Sequence, residues 1–66
     1  MMIYENIRYY AKKRGISISE LERQSGLARG HIGKWESKSE PTISTLQKVA
    51  DVLGVTVNTL LRERKE

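Results

Sequence analysis

Apolar residues in this chain recur every third or fourth position and do not alternate, a spacing that fits helices and not strands. Small residues cut that pattern into short pieces. Gly15, Gly26 and Gly54 follow apolar stretches, while Ser17, Thr42 and Thr56 precede others. A helix stops readily at glycine, and starts readily at a Ser or Thr whose oxygen accepts an orphan backbone N–H. The expectation is an all-α chain of five short helices, packed as one domain over 1–66. With 66 residues and no Cys, that core has neither a disulfide nor a thiolate zinc site to support it. A chain this short buries only about 60% of its unfolded surface, which leaves little room for the walled pocket of an enzyme.

In the first segment Ile3, Ile7, Tyr10 and Arg14 fall at helical spacing, Ala11 completes the buried face, and Gly15 ends it. Ser17-Ile18-Ser19-Glu20 reads as a capping box, Ser17 capping and Glu20 reaching back, with Ile16 and Leu21 as the hydrophobic staple. This predicts a second helix over about 18–25, stopped by Gly26. A third is predicted over about 29–37, with Ile32 and Trp35 inward. Its cap position falls on Ala28, which has no acceptor, and Gly30 and Gly33 inside it each cost roughly 1 kcal/mol against Ala. Helix propensity does not explain that composition. Behind Pro41, Thr42 caps a fourth helix carrying Ile43, Leu46, Val49, Ala50 and Leu53, closed by Gly54. Thr56 caps a fifth with Val57, Leu60 and Leu61, stapled by Val55 and Leu60. Residues 62–66 form a solvated charged end that could begin a linker in a longer protein.

Twelve Lys+Arg against eight Asp+Glu give a net charge of +4, which favours nucleic acid or an anionic surface as the large partner. No apolar run approaches the roughly 18 residues of a membrane span, and no secretory leader pattern opens the chain. A cytoplasmic protein without membrane contact is expected. Ser17, Ser19 and Ser25 are accounted for by caps and a turn. His31 is the only His, without a second metal ligand or a cleft in which to build a triad. No phosphate-binding glycine loop occurs. The sequence therefore points to no enzyme, metal, cofactor or small-molecule ligand.

The informative pair of helices is joined at Ser25-Gly26-Leu27, too short a turn for antiparallel packing. That is the helix-turn-helix arrangement, in which the second helix enters the DNA major groove. Leu21, Leu27, Ile32 and Trp35 form its inner seam, so Trp35 belongs to the core and not to a base stack. Arg29, His31 and Lys34 lie off that seam together with Gly30 and Gly33, and Arg29 and Lys34 can donate to the guanine O6/N7 edge. Two readings stand for the glycines: close packing on the preceding helix, or close approach of the backbone to the groove. Lys12-Lys13-Arg14 reads as a solubilising helix face, and Tyr4, Tyr9 and Tyr10 need no stacking role.

The run Ile18-Ser19-Glu20-Leu21, Ser25-Gly26-Leu27, Ile32, Trp35-Glu36, Pro41-Thr42, Leu46, Val49-Ala50, Leu53-Gly54-Val55, Leu60-Leu61 resembles the bacteriophage-repressor (Cro/C1, or XRE) family. The resemblance covers about residues 3–61 and is nearest to small prophage-type repressors. It implies a lambda-repressor-like, all-helical operator-binding domain, usually dimeric, with a helix-turn-helix core at about 18–37 and a recognition helix at about 29–37. By position it implies base-facing roles for Arg29, Gly30, His31 and Lys34, and phosphate contacts from Ser17, Ile18, Ser37, Lys38 and Thr42. Val57, Leu60 and Leu61 offer the nearest apolar surface for a homodimer. The chain departs from the family pattern at three places. Glu22 stands where a small Ala is usual and is expected to lean outward or pair with Arg23 or Arg29. Ala11 replaces an Arg that often pairs with the position of Glu36, and Ala28 replaces a capping Ser or Thr. The function implied is that of a transcriptional repressor on double-stranded operator DNA. An antitoxin of a two-protein module and a protein-interaction adaptor on the same fold are the alternatives.

Overall fold

The computed structural model describes residues 3–37 and 39–62. Four α-helices and one 3-10 helix form there: α1 Ile3–Arg14, α2 Ile18–Gln24, the 3-10 helix Ile32–Glu36, α3 Ile43–Leu53 and α4 Val57–Leu61. No strand occurs among the described residues, in keeping with the all-α expectation. None of these helices is long and apolar enough to cross a membrane.

Three helices begin where a hydroxyl was expected to cap them. Ser17, Thr42 and Thr56 each accept the backbone N–H three residues on, at 3.0, 3.2 and 3.1 Å. Each oxygen satisfies a donor that the first helical turn leaves without a partner. The capping box at α2 is only half made, however. The Glu20 carboxylate turns to Arg23 and Gln24 on its own helix face, because a cation three residues away offers a charge-assisted bond. At the other end of α2, Leu27 N–H bonds the Glu22 carbonyl at 2.8 Å and Gly26 N–H bonds that of Arg23 at 3.2 Å. This closure needs the left-handed backbone that Gly26 adopts at φ 75°.

The core draws on every element. Ile7, Leu21, Ile32, Leu46, Val49 and Leu60 are fully buried, joined by Ile3, Ala11, Trp35, Ala50 and Leu53. Each fully buried Leu or Ile contributes about 1.5–3 kcal/mol, so a few of these side chains set the stability of so small a domain. Ile43 was expected among them and is 64% exposed instead. Side chains lean toward the N-terminus of their helix, and in the first turn of α3 that carries Ile43 past the packed surface. Arg14, likewise placed on the apolar stripe of α1, is exposed; its guanidinium lies beside Gly54, at the C-terminal end of α3. A cation suits that end of a helix.

One buried polar residue has no counterpart in the apolar pattern. Asn6 on α1 is inaccessible to solvent, and its amide donates to the carbonyls of Leu60 at 2.9 Å and Arg62 at 2.6 Å. Those carbonyls close α4, where helix geometry supplies no donor. A side chain from the first helix thus caps the last.

Candidate nucleic-acid interface

Between α2 and the 3-10 helix the chain makes two turns, not one. After the glycine closure at Gly26, His31 N–H bonds the Ala28 carbonyl at 3.0 Å while Gly30 sits at φ 85°. A 28–31 turn with positive φ at its third residue is the type II pattern, which favours glycine there. Residues 29–31 are therefore a turn, and the segment expected to be helical over 29–37 is helical only at Ile32–Glu36. The physical reason is Gly30, whose backbone leaves the helical region.

Glu22 supplies what Ala28 lacks. Its side chain neither leans outward nor pairs with Arg23 or Arg29. It is 3% exposed, and its carboxylate accepts Gly30 N–H at 3.0 Å and Ile32 N–H at 2.8 Å. Arg23 is held by Glu20, whose carboxyl pKa is shifted down from its ordinary value chiefly by that hydrogen bond. Below the turn, Ile32 and Trp35 anchor the segment to the core, and the His31 ring meets Trp35 edge-on at 5.6 Å. Trp35 is thus committed inward, as its spacing from Ile32 indicates.

Facing away from that seam, Arg29, Gly30, Gly33 and Lys34 are exposed and His31 is half-buried. A methyl group added at Gly30 or Gly33 would meet nothing within 4 Å. Close packing against the preceding helix therefore explains neither glycine. The turn explains Gly30; nothing among the described residues explains Gly33. Glu36, which the resemblance would pair with an Arg where this chain has Ala11, is exposed.

The residues expected at phosphates fall in separate places. Ser17 and Ile18 open α2 and line a cleft of about 430 Å³ whose other wall carries Arg8 and Lys12 of α1. Ser17 uses its oxygen as acceptor in the cap and keeps a hydroxyl proton to donate. Ser37 and Thr42 are exposed at the ends of the loop into α3, and Lys38 lies outside the described residues. Of the basic triplet in α1, Lys13 lies over the Tyr9 ring at 5.4 Å and Arg14 lies against Gly54. Lys12, by contrast, shares its cleft with Arg8. From sequence Lys12 reads as part of a solubilising face and Arg8 is not singled out, because only the fold brings α1 beside the start of α2. Leu60 is fully buried, so it offers no surface to a second copy, whereas Val57 and Leu61 are half-buried.

A short helix pair, a glycine-closed turn and an outward polar segment over an apolar seam define a helix-turn-helix domain. Residues 7–60 match the helix-turn-helix family, and the chain belongs to it. It is 40% identical, over 98% of its length, to the HTH-type transcriptional regulator SinR of Bacillus licheniformis and to that of Bacillus subtilis (strain 168). The chain spans 60% of the length of these relatives. Among solved structures, the N-terminal DNA-binding domain of SinR from Bacillus subtilis superposes with a TM-score of 0.87 at 40% identity, covering 98% of this chain and 97% of that one. SinR, the master regulator for biofilm formation, in complex with DNA gives a TM-score of 0.84 at 40% identity, over 92% of this chain and all of the other.

Proposed function

We propose that this chain is the operator-reading domain of a transcriptional regulator, acting as a repressor by occupying double-stranded DNA. The observation that carries the reading is the outward face of the turn and 3-10 helix at residues 29–36. It presents Arg29, Lys34 and two glycines while its inner face is locked by Ile32, Trp35 and Glu22. Arg29 and Lys34 read base edges, with Gly30 and His31 beside them at the groove. Ser17, Ile18, Ser37, Lys38 and Thr42 hold the phosphates, which fix register and supply most of the affinity. The solved DNA complex of a relative with the same fold supports DNA as the partner.

One such segment reads only a few base pairs, too little to define a site alone. The chain is therefore proposed to bind as a homodimer on a pseudo-palindromic operator of prophage-repressor type, with half-sites roughly 34 Å apart. Val57 and Leu61 are the proposed apolar contacts. Selection of duplexes from a random pool, followed by sedimentation of the selected complex, tests this reading. Two related half-sites and two protein chains per duplex are expected. One chain per duplex contradicts the dimer, and failure to enrich any sequence contradicts DNA reading itself. Co-purification of a stoichiometric small protein would favour an antitoxin role instead.

A further inference from the structure

Around the recognition segment the local sequence leaves two backbone donors without partners. Ala28 has no side-chain acceptor, and His31, at the cap of the 3-10 helix, makes no side-chain cap bond. The N–H groups of Gly30 and Ile32 are satisfied from α2, by Glu22, eight and ten residues away. Glu22 as a residue is 3% exposed, and Leu21 beside it is fixed in the core. We propose that Glu22 is a positioning residue for DNA reading, holding residues 29–36 in the one presentation that matches base edges. The inference rests on the DNA-binding reading above.

The segment needs such a brace. Its helix is five residues of 3-10 geometry, and two of its outward positions are glycine. Short 3-10 turns are weakly held, and glycine adds backbone freedom. Ile32 and Trp35 pin the inner face through nonpolar contact, which is not directional. The two N–H bonds to Glu22 are directional and charge-assisted, and they span the turn from which Arg29 projects. Without them the turn has more conformers, and apparent affinity falls by the fraction that remains competent. Base reading feels that loss. Phosphate attraction, which tolerates many orientations, does not. Glu22 should therefore govern the ratio of specific to non-specific affinity, a quantity that a purely stabilising residue would leave alone.

The test uses the 66-residue chain, a duplex it selects from a random pool, and a scrambled duplex of the same composition. Glu22→Ala should weaken the selected duplex by roughly tenfold or more and the scrambled one little. Backbone amide exchange at Gly30 and Ile32 in the free protein should accelerate with it. Glu22→Gln, whose amide oxygen can accept only one of the two N–H groups at full strength, should fall between. It also carries the comparison if the alanine variant does not fold. Adding Ala28→Ser to Glu22→Ala should restore part of the ratio, because a hydroxyl there can accept from the N–H two residues on. Folded variants whose two affinities stay unchanged, or fall together, would overturn the inference. An original chain that enriches no duplex contradicts the proposed function; one that enriches a duplex while the variants keep its ratio contradicts Glu22 alone.

Discussion

At position 33 the chain carries a glycine with neither a left-handed backbone nor a neighbour that a methyl group would strike. Helix propensity alone therefore predicts that Gly33→Ala stabilises the free protein, by up to about 1 kcal/mol, seen as a raised midpoint in thermal unfolding. If the groove approaches the backbone there, the same substitution weakens binding to the selected duplex by about 1–3 kcal/mol, the usual cost of overfilling a close contact. Gain in stability with loss in binding is the expected result; gain in both removes Gly33 from the interface. Arg29, at the second position of the turn, and Lys34, on the 3-10 helix, project from different backbone geometries and should read different base pairs. Arg29→Ala should cost about 1–3 kcal/mol on the best duplex and relax preference at one position. Lys34→Ala should act at another position and less strongly, since an ammonium lacks the guanidinium's fork. Affinities for single-base variants of the duplex separate these outcomes from a uniform loss, which would make either residue a phosphate contact.

Between elements, the decisive contacts are polar and long in sequence. Asn6→Ala removes the donor that serves the Leu60 and Arg62 carbonyls, and should cost about 1–3 kcal/mol in denaturant unfolding. Hydrogen exchange should rise most in α4. A smaller effect is expected at α2, where Arg23 lowers the Glu20 carboxyl. A carboxyl depressed in the folded state contributes stability above its unfolded pKa and loses it as pH falls through the folded value. Glu20→Gln should therefore flatten the acid side of the stability profile slightly, the pair being solvent-screened. The starts of α2, α3 and α4 and the stop of α2 were legible in the sequence because each is local: Ser17, Thr42 and Thr56 act on a residue three positions on, and Gly26 on its own helix. The seam of Leu21, Ile32 and Trp35 was legible from spacing. Glu22 was not, since its partners lie eight and ten residues away. Asn6 was less so, with partners 54 and 56 residues away. The turn at 28–31 did leave a signal in Gly30 at its third position, which helical periodicity overrode.

At the scale of the whole domain, fold and charge both fit the proposed DNA binding. The domain measures 30 × 26 × 18 Å, and its chain carries a net charge of +4. Arg8 and Lys12 of α1 place two cations beside Ser17 at the start of α2. Neutralising each phosphate should then add about −0.9 to the slope of log affinity against log salt. The central claim is that this surface reads sequence and does not merely attract DNA. It is tested most directly by titrating the selected duplex and its scrambled counterpart across a range of salt concentrations. The account predicts a steep salt dependence for both, with the selected duplex bound more tightly at every concentration. Equal affinities throughout, or binding indifferent to salt, would contradict it.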